Sequence, residues 1–301
     1  MPTARMLKNV DVLCVGHASY DLIFSIPHHP KSDEKMSAST FLSCGGGPAA
    51  NAAVMVSNLG LSAAFSGYLG NDLHGEKHLE ELTQHQIYTE LIVRDLLPTP
   101  VSTVLVKPDG ERSLINYKEI KPLAVDSVDF SMIKPKVVLF DGHEPKLSLA
   151  LLAQIKDEKI PTILDAGSVH EGTLALMDKV DYLICSEKFA LQHCQTIEKA
   201  LDELSKLTPA LVITLGDKGL IWKRGAERGS LAAYKVDAVD STGAGDAFHG
   251  AFAAAVVLGL EWQQSLSYAS AAGALCSTKV GARTGLPTKE EHYDFWKKSQ
   301  R

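Results

Sequence analysis

The stretch Val236–Phe252, VDAVDSTGAGDAFHGAF, opens like a strand, passes through the flexible loop Ser241-Thr242-Gly243-Ala244-Gly245 and continues as a helix of small residues. Glycines in such a loop permit left-handed backbone and let a ligand approach main-chain N–H groups, while the helix that follows aims its positive end at the same point. A phosphate is the natural occupant. An acid in the first helical turn also complements the dipole without any ligand, so Asp246 has a structural reading beside a chemical one. The chain contains no GxxxxGK[ST] segment, which excludes a P-loop, and a phosphate loop without lysine must stabilise charge by N–H groups and a metal. A carboxylate beside a phosphate is repulsive unless it accepts a proton. With the dipole expected to keep it ionised, Asp246 reads as a modest base, which suffices for phosphoryl transfer.

The composition carries no competing signal. The 301 residues are 22% charged and 45% hydrophobic with a net charge of −6, enough for one large domain with a full core. Lys and Arg are scattered, which argues against a nucleic-acid surface or a basic membrane helix. The N-terminal MPTARMLKNVDVLCVG has no signal-peptide pattern, and the longest apolar stretch, Ala247–Leu260, is interrupted by His249 and Gly250 and falls short of a spanning helix. Five cysteines, at 14, 44, 185, 194 and 276, show no ligand or disulfide spacing and fit a reduced, cytoplasmic setting.

Outward from the loop, β-branched runs recur as DVLCVG, VVLFDG, PTILDAG, DYLICS and ALVITLG, each followed by helical periodicity. The alternation predicts an α/β protein with a doubly wound, mainly parallel central sheet flanked by helices, whose ligands sit beyond the carboxyl ends of the strands. Two regions break it. Residues 21–44 are polar and strand-prone, and Pro100–Tyr117 reads as a hairpin around Pro-Asp-Gly. Together, as segments of about 21–44 and 98–120, they predict a small antiparallel sheet acting as a lid on a single domain spanning residues 1–301.

A second glycine cluster, CGGGPAANAAVMVSNLG from Cys44 to Gly60, places Pro48 at a helix start and Asn51 one turn in, on the same face. Its Gly45-x-Gly47-x-x-Ala50 spacing matches a dinucleotide fingerprint but does not directly follow the first strand. GGPAANAA and DSTGAGDAF in this order resemble the paired signatures of the ribokinase-like (PfkB) carbohydrate kinases. The resemblance runs along nearly the whole chain through VGHASYD, VITLGDKG and GARTGLP.

The resemblance implies an ATP-dependent kinase of ribokinase-like fold that uses Mg²⁺ with its ATP. By it, Asp246 takes the proton of the attacking sugar hydroxyl and Gly243, Ala244 and Gly245 form an anion hole. Asp21 and Asn51 hold sugar hydroxyls, with Gly46 and Gly47 close to the ring. Thr214, Gly216 and Gly219 match a nucleotide-side TxGxxG, and the segment around Gly273 and Cys276 flanks the adenine, with Thr242 and Ser186 on the same side. A monovalent-cation site such as K⁺, where a member has one, lies near Asp240, Thr242 and Gly281.

Departures refine the expectation. The family's NxxE element is here Ser186-Glu187-Lys188-Phe189, so only Glu187, acting through water, is left as a weak metal contact. Ser at this place, together with GGGPAAN, ERSLINY and DAFHGAF, resembles the ketohexokinase, fructokinase and sulfofructose kinase branches. Pro48 stands where kinases of phosphosugars carry Lys. Lys35, Arg112, Asn116 and His143 are the polar candidates for the far end of the sugar. The expected substrate is a furanose phosphorylated on a primary hydroxyl, a ketohexose such as fructose, with sulfofructose, another sugar or a nucleoside as alternatives; Phe41 and Tyr117 are the lid aromatics a base would need. A catalytically silent, sugar-responsive protein on the same fold is the non-enzyme alternative. A homodimer through the lid sheets is expected, because an exposed sheet needs cover.

Overall fold

The computed structural model describes residues 7–119 and 121–298; residues 1–6 of the stretch read for a leader and residue 120, the far boundary of the expected lid, lie outside the described residues. The chain enters through β1 (Lys8–Val15), then turns into β2 (Ser19–Ser25) and β3 (Thr40–Gly46). After α1 (Pro48–Asn58) follow β4 (Ala63–Gly70), α2 (Leu73–Gln84) and β5 (Tyr88–Asp95), and then the hairpin β6 (Val101–Val106) and β7 (Arg112–Tyr117). The remaining half runs β8 (Ile133–Phe140), α3 (Pro145–Ile155), β9 (Thr162–Ala166), α4 (Glu171–Leu176), β10 (Tyr182–Ser186), α5 (Glu187–Cys194), α6 (Ile197–Leu204) and β11 (Ala210–Thr214). It closes with β12 (Leu220–Arg224), β13 (Glu227–Leu231), α7 (Ala244–Val257), α8 (Trp262–Cys276), α9 (Ala282–Gly285) and α10 (Lys289–Lys298).

Nine strands form the main sheet in the order β13-β12-β11-β10-β9-β8-β1-β4-β5, parallel from β5 through to β11 and antiparallel at the β12 and β13 edge. All five runs read from the sequence are strands of this sheet. Two further parallel strands, β4 and β5, were not anticipated: β4, AAFSGYLG, is buried along its whole length, so small residues replace the apolar alternation that marks a half-exposed strand. One apolar cluster under the sheet joins α1, α7 and α8 to the strands, and a second on the opposite face joins α3 to α6, which is the doubly wound arrangement.

The chain proceeds from β1 outward to β4 and β5 and returns on the other side as β8. The carboxyl ends of β1 and β8 therefore form the switch point at which open sheets of this class hold ligands. Asp141, just after β8, spans it: its Oδ2 accepts from the N–H of His17 at 2.7 Å and from that of Ala49 at 3.2 Å, and its Oδ1 from that of His143 at 2.9 Å. A buried carboxylate with three main-chain donors ties the β1 turn, the start of α1 and the β8 turn together.

The small sheet has the order β3-β2-β6-β7, antiparallel in its outer pairs and parallel between β2 and β6. It lies where the sequence placed the lid. Register aligns Cys44, Asp21, Ser102 and Asn116 in one row, and Ile23, Leu42, Val104 and Leu114 in the next row on that face. Ile23, Cys44, Val104 and Val106 are buried, so this face turns toward the main body and carries Asp21 with it. Phe41 and Tyr117 fall on the opposite parity and are exposed, pointing away from Asp21.

Candidate active site

The two glycine signatures, distant in sequence, meet because the helices bearing them are built from small residues. Gly250 of α7 faces α1 so closely that a Cβ there would sit 2.6 Å from the carbonyl oxygen of Ala52. Only glycine allows this approach, which brings Asn51 of α1 to Asp246 in the first turn of α7. Asn51 Nδ2 donates to Asp246 Oδ2 at 2.7 Å. The contact joins the two halves of the site across 195 positions of chain.

Gly243 caps α7 in the left-handed region, φ 79°, and no side chain caps the helix; its first N–H, that of Ala244, donates to the Ser241 carbonyl oxygen at 3.3 Å. A Cβ placed on Gly245 would meet no atom within 4 Å, so the mouth of the loop is open on that side. Beneath the loop the packing is dense: a Cβ on Gly243 would fall 2.5 Å from that of Ala282, and one on Gly273 3.0 Å from the Ala244 oxygen. Cys276 is fully buried, with its Sγ 3.6 Å from the Thr242 carbonyl oxygen. Gly273 and Cys276, read as flanking a nucleotide, thus support the anion loop from below.

Asp246 departs from one expectation. Burial, the largest influence, pushes its carboxyl above the ordinary range, against the pull of Asn51 and of His249, while the nearby Asp21 and Asp141 push it further up. The net direction is upward, with desolvation its largest cause. Asp21 is buried on β2, accepts from Ser19 Oγ at 2.9 Å, lies directly against Gly46, and is likewise pushed up by burial. Gly47 is the N-cap of α1.

The remaining residues divide. His143 lies at the switch point in a row of imidazoles, 5.0 Å from His17 and stacked at 4.6 Å on His170. The structure does not bring Arg112 to the sugar end of the lid: its guanidinium is hydrogen-bonded to Thr242 Oγ1 and lies 3.4 Å from Asp240 Oδ1. Asp240, whose side chain is fully buried, also accepts from Thr242 N at 2.9 Å and Gly281 N at 2.8 Å. This is the position at which a monovalent cation was expected, and a lid arginine lies beside it. Asn116 shares the row of Asp21, whereas Lys35 stands exposed on the 26–39 loop with no hydrogen bond or ion pair to this cluster.

Ser186 is a helix cap: its Oγ accepts from Phe189 N at 3.0 Å and donates to the Gly167 carbonyl at 2.8 Å. Phe189, in place of the family Glu, is fully buried in the core, and Glu187 forms a surface pair with Lys218 at 3.3 Å. Ser186→Ala is expected to lower stability by about 1 kcal/mol through loss of the cap, measured by denaturant unfolding, with Glu187→Gln close to neutral. Thr214 Oγ1 reaches the Cys185 carbonyl at 3.4 Å at the end of β11, and Gly216 and Gly219 bound the turn into β12, on the same carboxyl edge.

Three neighbours of the site, His249, Arg283 and Lys118, escaped the sequence. His249, one turn beyond Asp246, directs Nδ1 at the Gly245 carbonyl, 2.6 Å, and at Asp165 Oδ2, 3.2 Å, with Nε2 3.4 Å from the Ile184 carbonyl oxygen. Burial lowers the His249 pKa and raises that of Asp165 well above its ordinary value. Arg283 Nε donates to Asn51 Oδ1 at 3.2 Å from inside the core. Lys118 carries its charge to His17, His170 and the buried Glu144, whose carboxyl is raised by burial to about 7. A histidine inside DAFHGAF or an arginine inside GARTGLP gives no periodic signal of such roles.

The profile of the pfkB family of carbohydrate kinases matches residues 9–289. The chain is a member of that family. It is similar to the ribokinase of Bacillus subtilis (strain 168), 27% identical over 294 residues covering 95% of this chain and 98% of the relative. Fructokinase-1 of Zea mays is 30% identical over 287 residues, covering 84% and 88% of the two chains. The solved structure of Arabidopsis thaliana ribokinase complexed with ribose and ATP superposes with a TM-score of 0.81 at 26% identity, covering 96% of this chain and 99% of the other. As a PfkB sugar kinase the protein transfers a phosphoryl group to an alcohol. Among the described residues no helix is long and apolar enough to cross a membrane, and no group of His, Cys, Asp and Glu is arranged to hold a metal ion. An ATP-using kinase family implies Mg²⁺ with the ATP.

Proposed function

We propose that this kinase phosphorylates a primary hydroxyl of a furanose, with a ketohexose such as fructose as the substrate. The observation that carries the mechanism is the Asn51–Asp246 hydrogen bond, which sets a half-buried carboxylate at the open mouth of the Gly243–Gly245 loop. Asp21 and Asn51 fix the sugar. Asp246 accepts the hydroxyl proton as the oxygen attacks the γ-phosphorus of MgATP, and the N–H groups of Gly243, Ala244 and Gly245 face the equatorial oxygens where charge gathers. Nucleotide binds along the carboxyl edge that holds Ser186, Thr214, Gly216 and Gly219. The fructokinase relatives support the sugar, and Pro48 leaves no lysine for a phosphate on it. Phe41 and Tyr117 face outward and do not build a slot for a nucleoside base.

A second reading, an anionic sugar such as sulfofructose, is favoured by the charge of Lys118 on His17 and His170, the imidazoles that flank His143. Sugar-dependent ADP release over fructose, sulfofructose, ribose, tagatose, fructose phosphates and adenosine decides between them: highest kcat/KM with fructose supports the first, with sulfofructose the second, and no turnover at all supports the catalytically silent alternative. Arg112 supplies the charge at Asp240, so replacing K⁺ by tetramethylammonium is expected to leave the rate unchanged, whereas Arg112→Ala should make it K⁺-dependent. Phe41, Ile115 and Tyr117, exposed on the outer lid face, are the surface through which we expect a cytoplasmic homodimer, measured by sedimentation equilibrium.

A further inference from the structure

We propose that Arg283 is a positioning residue for the catalytic base: it locks the side-chain amide of Asn51 in the one orientation that donates to Asp246. Arg283 lies in α9, within GARTGLP, with its side chain 6% exposed beneath the sugar site. A guanidinium can only donate, so the Asn51 atom that meets Nε at 3.2 Å is the carbonyl oxygen. The opposite end of the same amide is then the NH₂ group, which reaches Asp246 Oδ2 at 2.7 Å. Without Arg283 the amide is free to flip and present an oxygen to the carboxylate, which repels it.

Nη2 of Arg283 is 3.2 Å from His78 Nε2, which must accept and so keeps its proton on Nδ1; this holds the guanidinium plane from α2. The arrangement is not that of an ordinary buried ion pair. Glu81 Oε2, the closest carboxylate oxygen, is 3.7 Å from Nη1, and it is already given to the N–H of Gly45 at 2.8 Å. Nη1 has no hydrogen-bond acceptor among the described residues. The donors in use are Nε, on Asn51, and Nη2, on His78.

The groups facing Arg283 are Asp21 on β2, Cys44 on β3, Asn51 on α1, His78 and Glu81 on α2, His85 at its end, and Asp246 on α7. Two of these carboxylates, Asp21 and Asp246, belong to the site, and one buried positive charge between them favours their ionised forms. The arginine thus acts twice, on geometry through Asn51 and on charge through the field.

The inference rests on Asp246 as the proton acceptor, and the experiment separates the two. In the unaltered protein, the Asn51 side-chain NH₂ signals in ¹H–¹⁵N spectra are expected to shift with pH as Asp246 titrates, and to lose that shift in Asp246→Asn; signals indifferent to pH would overturn the proposal without any variant at site 283. With whichever of fructose and ribose the enzyme turns over, Arg283→Met is expected to lower kcat by about 10- to 100-fold. It should move the acid limb of the pH–rate profile upward and leave the KM for ATP unchanged. Arg283→Lys, which keeps the charge and loses the fixed Nε–H, should restore the limb but not kcat. Full kcat in Arg283→Lys or Arg283→Met, alongside an inactive Asp246→Asn, removes the role of Arg283 and leaves the base intact. An active Asp246→Asn removes the base.

Discussion

Asp246→Ala is expected to lower kcat by about 10²- to 10⁴-fold, the range for loss of a general base, while ATP still binds and the fold persists. The pH dependence gives an independent check, with its sign set by burial. The competent form is the carboxylate, and desolvation raises its pKa above the ordinary 3.8. Activity therefore rises with pH through an acid limb lying higher than a solvent-exposed aspartate would give, and falls away below it. Asn51 and His249 oppose that rise, so Asn51→Ala should push the limb further up as well as weaken sugar binding. The measurement is kcat across pH with single-turnover controls. Turnover of Asp246→Ala at the native rate would remove the proposed mechanism, since no other carboxylate stands at the mouth of the Gly243–Gly245 loop with its ionised form hydrogen-bonded by the sugar-side amide.

The second large effect is at Gly243. Its φ of 79° is a conformation that costs a residue with a Cβ about 1–2 kcal/mol. Alanine would in addition place its methyl 2.5 Å from Ala282 Cβ and 2.7 Å from Ala282 Cα, both on the firm start of α9. The loop must shift, carrying the N–H groups of Ala244 and Gly245 off the position of the transferring phosphoryl. Gly243→Ala is expected to lose about 10²- to 10³-fold in kcat, comparable to removing one donor from an oxyanion site. The KM of the sugar, set on the other side by Asp21 and Asn51, should change far less. A near-native kcat would mean that the loop does not cradle the reacting group; a KM effect alone would assign it to substrate binding.

Much of the architecture was legible. Parallel strands with crossover helices leave apolar runs and helical periodicity, and glycines with a first-turn acid mark an anion loop, because these are local demands on the backbone. Strands β4 and β5 were not legible for a local reason too: burial on both faces of β4 removes the alternation. The lid segments were legible as departures from the pattern, but not the pairing of their strands. That pairing sends Asn116 to the row of Asp21, turns Phe41 and Tyr117 outward and delivers Arg112 to Asp240.

The amino-acid sequence by itself determined the fold class, the two glycine signatures and the candidate base, since each depends on residues close together along the chain. Only the tertiary structure decided that Asn51 touches Asp246, that Arg283 donates to Asn51, that Cys276 packs under the loop, and that Ser186 is a cap. Those contacts join elements as many as 232 positions apart, and they arise from close packing of small-residue helices and from register across a sheet, which no local pattern encodes. The same packing opposed the expected influence on Asp246: a helix N-terminus read alone favours the anion, whereas desolvation in the folded site raises the pKa.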